Sequence, residues 1–528
     1  MDFKPTYSLL PVQGVLTEKQ VLHLLRRTLF GVSQADLKFF GGKTIDECLA
    51  ILLKPAAPRP LPIQEEGDYI DPLVPIGEVW VNAPYEDDLI QGRREVMLCM
   101  WWIGNIVSRT YSLTEKMTLF WRNHFVTEVV MVRDARYSYR YLEMLRRHSL
   151  GNFKELIREG SSNPAMLVYL SGNYSTKEAP NENYARELFE LFTIGKEDGQ
   201  SYSELDVREA ARVLTGYIDD KDRIKSQFVP ERHDDGDKQF SAFFENKLIK
   251  GRSGQEGKKE LDELVDMIFQ RAETSRFCCR NLYRWFVSHH IDEEVESKVI
   301  QPLAEILMAH DFEITPVLKT LLGSEHFFDL AFRGCVVKNP VEYFIGSFLQ
   351  FDEVQYSRYD LERNSWLEFH ESVGQLGMDV GNPPSVAGWP AYYQAPKYHR
   401  WWVNSASLSL RKRKMYTLSS KEGFVFNGAN NNTNARFNYR KFLQQIPFKS
   451  VDEAIERCLV LLLATEVGEE EKKELKETLL LHYSEKEWME EWKRFLSKHE
   501  DAEEAELAES RLRPFFKKII AMAEYQMM

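Results

Sequence analysis

Polar residues between positions 181 and 192 alternate with apolar residues at the spacing of an α-helix. At about 100° per residue, the apolar side chains lie on one arc, which contains Tyr184, Ala185, Leu188, Phe189, Leu191 and Phe192. The opposite arc contains Glu182, Asn183, Arg186, Glu187 and Glu190. Paired carboxylates beside a guanidinium suit general acid–base chemistry or the binding of an anion. An ordinary amphipathic helix with a solvated acidic face has the same pattern, and periodicity alone favours that interpretation.

Two further residues are predicted to frame this helix. Asn181 follows Pro180 and is predicted to be the N-cap. His124 continues an apolar stripe on a helix predicted from Leu113 to Phe125, so its imidazole is expected to face inward. A lone inward histidine is usually a hydrogen-bonded core residue, and it becomes a candidate base where carboxylates converge on it. We therefore predict that His124 lies next to the Glu187/Glu190 face, and that Arg186 is buried among these acids.

A second cluster of titratable residues runs from His233 to Lys238 with the sequence His-Asp-Asp-Gly-Asp-Lys. It resembles a calcium-binding loop only superficially. If Glu231 takes the first position, the twelfth is Ala242, which cannot supply the bidentate carboxylate. The cluster is therefore interpreted as an acid–base group including His233, Asp234 and Lys238, or as a solvated turn.

A proline-rich loop from Asn382 to Pro390 carries Trp389, whose large flat ring could line a pocket or fill a core. Arginines and tyrosines also alternate between residues 133 and 147, and residues 411–414 are basic. Such runs bind single-stranded nucleic acid in some proteins, but at helical spacing they more often pair with surface acids. No phosphate-binding loop, dinucleotide fingerprint or zinc-protease motif is present.

Helix signals dominate the elements that must position these residues. The capping-box pattern or its Asp variant occurs at Thr17, Ser33, Thr44, Ser112 and Ser203. Gly31, Gly41 and Gly216 follow periodic runs, and we predict that Gly31 and Gly216 end helices in the left-handed conformation. The fold class is therefore mainly α: one large helical domain over residues 1–528, with little or no sheet.

Four segments are expected to interrupt or decorate this domain. Residues 55–84 contain seven prolines and are predicted to be an extended connection. Residues 225–257 and 379–399 are predicted to be long loops, which in compact domains are often functional. Residues 466–510 hold 16 acidic and 7 basic residues and are expected to form a solvated helical segment.

Composition restricts the class of protein. The 528-residue chain has a formal net charge of −13, which argues against nucleic acid as the main partner. Its apolar runs, such as Cys458 to Ala464, are far shorter than the ~20 residues of a membrane span. No signal peptide is visible, and six scattered cysteines are typical of free thiols in a reducing compartment, so a cytoplasmic location is expected.

Several motifs, in order along the chain, resemble the bacterial family called domain of unknown function 1800. They are Leu24-Leu-Arg-Arg-Thr-Leu-Phe-Gly31, Trp121-Arg-Asn-His-Phe125, the block from Pro180 to Gly195, the block from Asp206 to Gly216, His233 to Lys238, Lys338-Asn-Pro-Val341, Pro383 to Pro390 and Ala523-Glu-Tyr-Gln526. The resemblance covers about residues 16–528. It implies a mainly helical fold and no particular activity, because the family has none established.

The resemblance also bears on location, partners and site. Many members of the family carry export signals and are encoded beside a sulfatase-like family, so it implies export as the alternative location and a sulfatase-like partner protein. Its signature residues are polar rather than apolar, which raises the weight of a converged polar site.

Two hypotheses follow. In the first, the protein is a hydrolase-like enzyme acting on a small-molecule or polymeric substrate, with His124, Glu187, Glu190 and His233 as catalytic residues, alone or with a divalent metal. Its substrate would be bound by Asn181, Asn183, Arg186, Asp234, Lys238 and Trp389. In the second, the protein is a non-catalytic binding or accessory protein, and the same polar groups form a buried structural network.

Overall fold

The computed structural model describes residues 5–65, 71–108, 110–196, 202–351, 359–427, 432–497 and 501–528. Across these residues the chain is mainly α-helical, and the predicted fold class is confirmed. None of the described helices combines the length and the apolar composition that crossing a membrane requires.

The N-terminal half consists of helices joined by connections of varied length, of which the proline-rich segment between α3 and α4 is the longest. In chain order they are α1 Glu18–Thr28, α2 Gln34–Phe40, α3 Ile45–Leu52, α4 Asp88–Val107, α5 Thr114–His124, α6 Val129–Val132, α7 Ala135–Arg147, α8 Phe153–Ser161, α9 Pro164–Tyr169, α10 Glu182–Glu187 and α11 Glu204–Val213. A π-helical segment, Leu188–Thr193, extends α10. No helix lies within the described part of the proline-rich segment 55–84.

The remaining helices follow a region of short strands. They are α12 Lys259–Phe269, α13 Ala272–Phe286, α14 Glu293–Val295, α15 Gln301–Ala309, α16 Ile314–Gly323, α17 Gly346–Gln350, α18 Tyr359–Gln375, α19 Pro390–Tyr393, α20 Ser405–Leu418, α21 Tyr439–Gln444, α22 Val451–Leu462, α23 Glu469–Leu480, α24 Glu485–Ser497 and α25 Ala502–Ala521. Helices α23, α24 and the start of α25 occupy the acidic segment 466–510.

Sheet structure in the described residues is limited to three antiparallel hairpins. They pair β1 Tyr217–Asp220 with β2 Lys225–Phe228, β3 Lys238–Gln239 with β4 Leu248–Ile249, and β5 Phe424–Asn427 with β6 Asn432–Ala435. The segment 225–257 is therefore not irregular throughout, since it contains β2, β3 and β4. These strands fold back on α11 and α12 and hold the His233–Lys238 cluster between them.

Capping boxes begin most of the helices for which the sequence predicts them. Side chain and backbone bond reciprocally at Thr17, Ser33, Thr44 and Ser203. The box predicted at Ser112 is wrong, because α5 begins at Thr114 without a side-chain cap. Glu115, the expected partner, instead accepts a hydrogen bond from Arg146 at 2.7 Å in the core. A buried ion pair thus replaces the local cap.

The two glycines predicted to end helices behave differently. Gly216 follows α11 with φ +92° and lies against His233, so its left-handed conformation is confirmed. Gly31 does not have a positive φ, and α1 ends at Thr28. A Cβ atom at position 31 would lie 2.4 Å from the carbonyl oxygen of Gly346. Gly31 is therefore required for close backbone packing rather than for a helix cap.

Helix α5 lies at the centre of the core. Most of its side chains are buried, polar ones included, and it packs closely on α7. Trp121 is fully buried, stacks on Phe153 and donates its indole N–H to the carbonyl of Ser149. The end of α5 therefore holds a fixed position from which Arg122, Asn123 and His124 reach other segments.

Candidate functional site

Three consecutive residues at the end of α5 bond to two distant segments, the 379–399 loop and the helical block that starts at Asn181. Arg122 donates to the carbonyl of Gly381 at 2.6 Å, in the 379–399 loop. The Oδ1 atom of Asn123 accepts the backbone N–H of Trp389 at 2.9 Å. His124 Nε2 lies 2.9 Å from the carbonyl oxygen of Phe192, at the end of the helical block that starts at Asn181. The Trp121–Phe125 motif thus bonds to the backbone of two other family motifs, Pro180–Gly195 and Pro383–Pro390.

The environment of His124 is that of a core residue. Since a carbonyl can only accept, Nε2 carries the proton, and Nδ1 faces the amide of Asn281 at 3.4 Å. Aromatic rings, including those of Phe120 and Phe153, surround the imidazole. Burial lowers its pKa to about 4, with the bond to Phe192 opposing part of the effect. His124 is therefore neutral at physiological pH.

The polar arc of the 181–192 helix faces solvent and nearby charges. Arg186 is 34% exposed and forms a bidentate pair with Glu204, both contacts at 2.7 Å. The prediction that Arg186 is buried is therefore wrong, because Glu204 at the start of α11 reaches it from outside. Glu190 pairs with Lys196, while burial and the neighbouring Glu190 raise the pKa of Glu187.

The two asparagines at the start of this helix have different environments. Asn181 is the N-cap: its Oδ1 accepts the N–H of Tyr184 at 3.0 Å, and its Nδ2 donates to Leu170 at 2.8 Å. Asn183 is exposed. Among the described residues, no hydrogen bond or ion pair joins His124 to Glu187 or Glu190. Glu187 and Glu190 belong to the helical block that bonds His124, but the bond runs to the backbone carbonyl of Phe192.

His233 and Lys238 converge on a residue that sequence analysis missed. Glu260, at the start of α12, is fully buried, as is Lys238, and its Oε2 lies 2.5 Å from Lys238 Nζ. Its Oε1 accepts the backbone N–H of Arg252 at 2.7 Å and lies 3.3 Å from His233 Nε2, outside hydrogen-bond alignment. No local spacing rule links Glu260 to this cluster, since 22 residues separate it from Lys238.

The rest of this cluster is also internally paired. Asp234 accepts both Nε and Nη2 of Arg212, at 2.7 and 2.9 Å. Burial would raise the pKa of Asp234, but the bonds from Arg212 and from the N–H of Gly236 hold it below its usual value. His233 Nδ1 lies 3.0 Å from the carbonyl oxygen of Thr215. The charges of Asp234 and Lys238 are thus paired within the fold.

Trp389 is buried and fills a core rather than lining an open pocket. Gly388 precedes it with φ +83°, and a Cβ at that position would lie 2.4 Å from Asn123. The predicted catalytic and substrate-binding residues therefore occupy separate places: the α5 junction, the exposed face of α10, and the β3–α12 network. No group of three or more His, Cys, Asp or Glu residues in the described part of the chain is arranged to hold a metal ion. The catalytic and substrate-binding roles assigned to the predicted site residues stay predictions.

A cavity of about 310 Å³ lies elsewhere, between α1, α22 and the segment around residues 330–333. Leucine and valine side chains form much of its wall, namely Leu22, Leu459, Val460, Leu463 and Val467. Leu330, which is 66% exposed, lies at its rim. A hollow of this size and composition is at the small end of the range for ligand pockets. Sequence analysis did not identify this cavity, because its walls come from segments more than 300 residues apart.

Cations accompany this apolar wall. Arg26 donates to the carbonyls of Val460 and Leu461, at 2.8 and 3.1 Å. Within the part of the chain that the structure describes, neither Arg26 nor Arg333 has a carboxylate within ion-pair distance, and the buried Nε of Arg333 has no hydrogen-bond partner. Burial and the nearby Arg333 lower the pKa of Arg26 to about 10. Two guanidinium groups thus repel each other beside an apolar cavity.

The other charged residues at the cavity already have partners. Lys19 pairs with Glu466 at 2.7 Å, and Lys472 lies 3.3 Å from Glu456. All four of these side chains are substantially exposed, so they form the outer edge. The excess positive charge therefore comes from Arg26 and Arg333.

Comparison with known proteins gives one match. The family model described as "Protein of unknown function (DUF1800)" matches residues 23–527, nearly the whole chain. No curated protein and no solved structure matches the chain. The matched region includes the α5 junction, the β3–α12 network and most of the cavity. The chain therefore belongs to the DUF1800 family, as the motifs from Leu24 to Gln526 indicate.

Proposed function

We propose that this DUF1800 protein is a non-catalytic binding protein, and that its ligand is a small organic anion with an apolar body. The observation that carries the proposal is the 310 Å³ apolar cavity beside Arg26 and Arg333, whose guanidinium groups form no ion pair with a carboxylate of the described residues. Guanidinium groups bind carboxylates bidentately, and an apolar wall favours a hydrocarbon tail. Both features suit a short-chain fatty carboxylate.

The arrangement of the signature residues supports a binding protein over a hydrolase. A hydrolase using His124 with Glu187 needs these groups at one reacting centre. His124 instead donates to a backbone carbonyl among aromatic rings, and Glu187 lies on a solvated helix face. His233 and Lys238 are held by Glu260 within the fold. The sulfatase-like partner stays a prediction.

The electrostatics of the cavity suggest why an anion is needed. Burial and the nearby Arg333 lower the pKa of Arg26, so this partly buried site is stabilised when a negative charge comes between the two guanidinium groups. The ammonium groups of Lys19 and Lys472 are already paired at the edge. A carboxylate headgroup would therefore bind to Arg333, with its tail against Leu459 and Leu463.

Isothermal titration with octanoate and octanol tests the proposal. These probes share a tail and differ in charge, so we expect octanoate to bind at least tenfold more tightly than octanol. Arg333→Gln should weaken octanoate binding at least tenfold and leave octanol binding unchanged. Equal binding of both probes, or no binding by the wild-type protein, contradicts the proposal.

A matched control separates a local effect from a general change in charge. Arg223→Gln also removes one guanidinium, but Arg223 is exposed in the β1–β2 turn and lies 3.6 Å from Asp220. This variant should bind octanoate like the wild-type protein. If it weakens binding as much as Arg333→Gln does, the effect comes from net charge and not from the cavity.

A further inference from the structure

A second, much smaller cavity of about 20 Å³ lies behind α13, next to the segment 336–342 and the 3-10 helix Tyr398–Trp402. It has space for one water-sized particle. Trp285, Tyr392 and His399 line it, and in the described part of the chain Trp285 Nε1 and His399 Nε2 have no hydrogen-bond partner. This cavity is separate from the α1–α22 cavity and shares no lining residue with it.

The polar groups at this cavity are mainly hydrogen-bond donors. His399 Nδ1 accepts the N–H of Val337 at 3.0 Å, so the proton of the neutral ring is on Nε2. That Nε2 is buried and has no partner. The indole N–H of Trp285, a side chain that is 4% exposed, also has no partner. The hydroxyl of Tyr392 accepts from Asn339 at 3.0 Å, and its own hydrogen has no acceptor among the described residues.

The charge around the cavity is positive. Burial and the nearby His289 and Arg400 lower the pKa of His399 to about 4. The carboxylate that lines the cavity, Glu342, is neutralised by its ion pair with buried Lys116 and accepts the N–H of Asn339 at 2.9 Å. Buried donors without acceptors cost free energy, so a site of this kind favours a species that only accepts hydrogen bonds.

We propose that this cavity binds a monatomic anion such as chloride. A halide accepts from the Trp285 indole, the His399 Nε2–H and the Tyr392 hydroxyl, and it has no hydrogens of its own to place. A water molecule fits the same volume but brings two hydrogens, which the Trp285 indole N–H and the His399 Nε2–H cannot accept. The lining offers as acceptors the Tyr392 hydroxyl oxygen, which already accepts from Asn339, and the Nδ1 atom of His289 when that atom is unprotonated. The positive surroundings, which oppose protonation of His399, also favour an anion over water.

Thermal unfolding in sodium chloride, sodium bromide and sodium gluconate at equal ionic strength tests the proposal. We expect a saturable rise in midpoint with the halides and no such rise with gluconate, since only a ligand of the folded state stabilises it in this way. Crystals grown in bromide should show an anomalous peak between Trp285 and His399. An equal response to all three salts, or no bromide peak in the cavity, would overturn the proposal and assign the space to water.

Two tryptophan variants test whether the rise in unfolding midpoint with halide depends on this cavity. Trp285→Phe removes one donor and keeps an aromatic ring. It should therefore raise the halide concentration that gives half of the rise in unfolding midpoint at least tenfold. Trp389→Phe is the matched control, because Trp389 is also buried with an unpartnered indole nitrogen but does not line this cavity. If Trp285→Phe fails to fold, Tyr392→Phe takes its place. An unchanged halide response in the folded donor variant contradicts the proposal.

Discussion

Replacing Glu260 by Gln removes the negative charge from the most deeply buried ion pair of the signature residues. Glu260 and Lys238 are both 0% exposed, and Oε2 lies 2.5 Å from Nζ. Glutamine has nearly the same shape and keeps an oxygen for the N–H of Arg252, which Oε1 accepts at 2.7 Å. The change therefore tests charge rather than packing.

The expected cost follows from what remains after the substitution. The ammonium of Lys238 would keep its bond to the carbonyl of Asp234 but lose its only carboxylate partner among the described residues. Leaving one buried charge unpaired costs about 3–5 kcal/mol. The matched variant Glu204→Gln breaks the exposed pair with Arg186, which is worth only ~0.2–1 kcal/mol. The two carboxylates should thus differ severalfold in their effect on the free energy of unfolding.

Urea titration of the variants measures this difference, and a third variant makes it decisive. Lys238→Met combined with Glu260→Gln removes both charges, so the double variant should be more stable than the sum of the two single losses predicts.

Lowering the pH should also distinguish the stability of the wild-type protein from that of Glu260→Gln. The contacts with His233 and Lys238 outweigh burial and lower the pKa of Glu260 in the folded state. Its stabilisation is therefore present above the unfolded pKa of ~4.3 and is lost as pH falls through the folded pKa. A Glu260→Gln loss no larger than that of Glu204→Gln would refute the reasoning.

Three other predictions use the same unfolding assay. Because the pKa of His124 is about 4 when folded and ~6.5 when unfolded, the wild-type protein should lose about 3 kcal/mol as pH falls between these values, and His124→Asn should lack this component. Arg186→Ala should cost less than ~1 kcal/mol, and a larger loss would show that the pair is not solvated. Gly31→Ala should prevent native packing against Gly346, whereas Gly92→Ala, in an open part of helix α4, should raise the free energy of unfolding by ~0.5–1 kcal/mol. Equal effects of the two variants would contradict the steric clash between position 31 and Gly346.

Local signals predicted local structure well. Ser33 and Thr44 cap their helices as the sequence indicates, because each capping box needs only residues three positions apart. The capping box predicted at Ser112 does not form, because its expected partner, Glu115, is buried and pairs with Arg146 from another helix. Tertiary packing overrides a cap worth about 1 kcal/mol when a buried arginine needs a carboxylate.

The candidate site was less predictable, because sequence spacing does not show which side chains meet across the fold. Arg26 and Arg27 are neighbours in one motif, yet Arg26 lines the 310 Å³ cavity and Arg27 points to the carbonyl of Phe332. Arg333 completes the cavity from a segment 307 residues after Arg26, and no periodic pattern links the two. Long-range partners of this kind appear only when the chain is folded.

The polar signature of the family has a physical explanation that requires no reaction. A mainly helical chain with long connections must fix loop backbone whose N–H and C=O groups lie away from water, and each such group needs a partner. Arg122, Asn123 and His124 meet this need for three backbone groups in two segments from a single helix end. An apolar replacement at any of them leaves a buried backbone group unpaired, at a cost of about 1–3 kcal/mol. Such positions resemble an active site in sequence because both require specific polar atoms at fixed positions. What distinguishes them is the partner: here it is the backbone of the protein itself, whereas the indole N–H of Trp285 and the Nε2–H of His399 have no partner among the described residues.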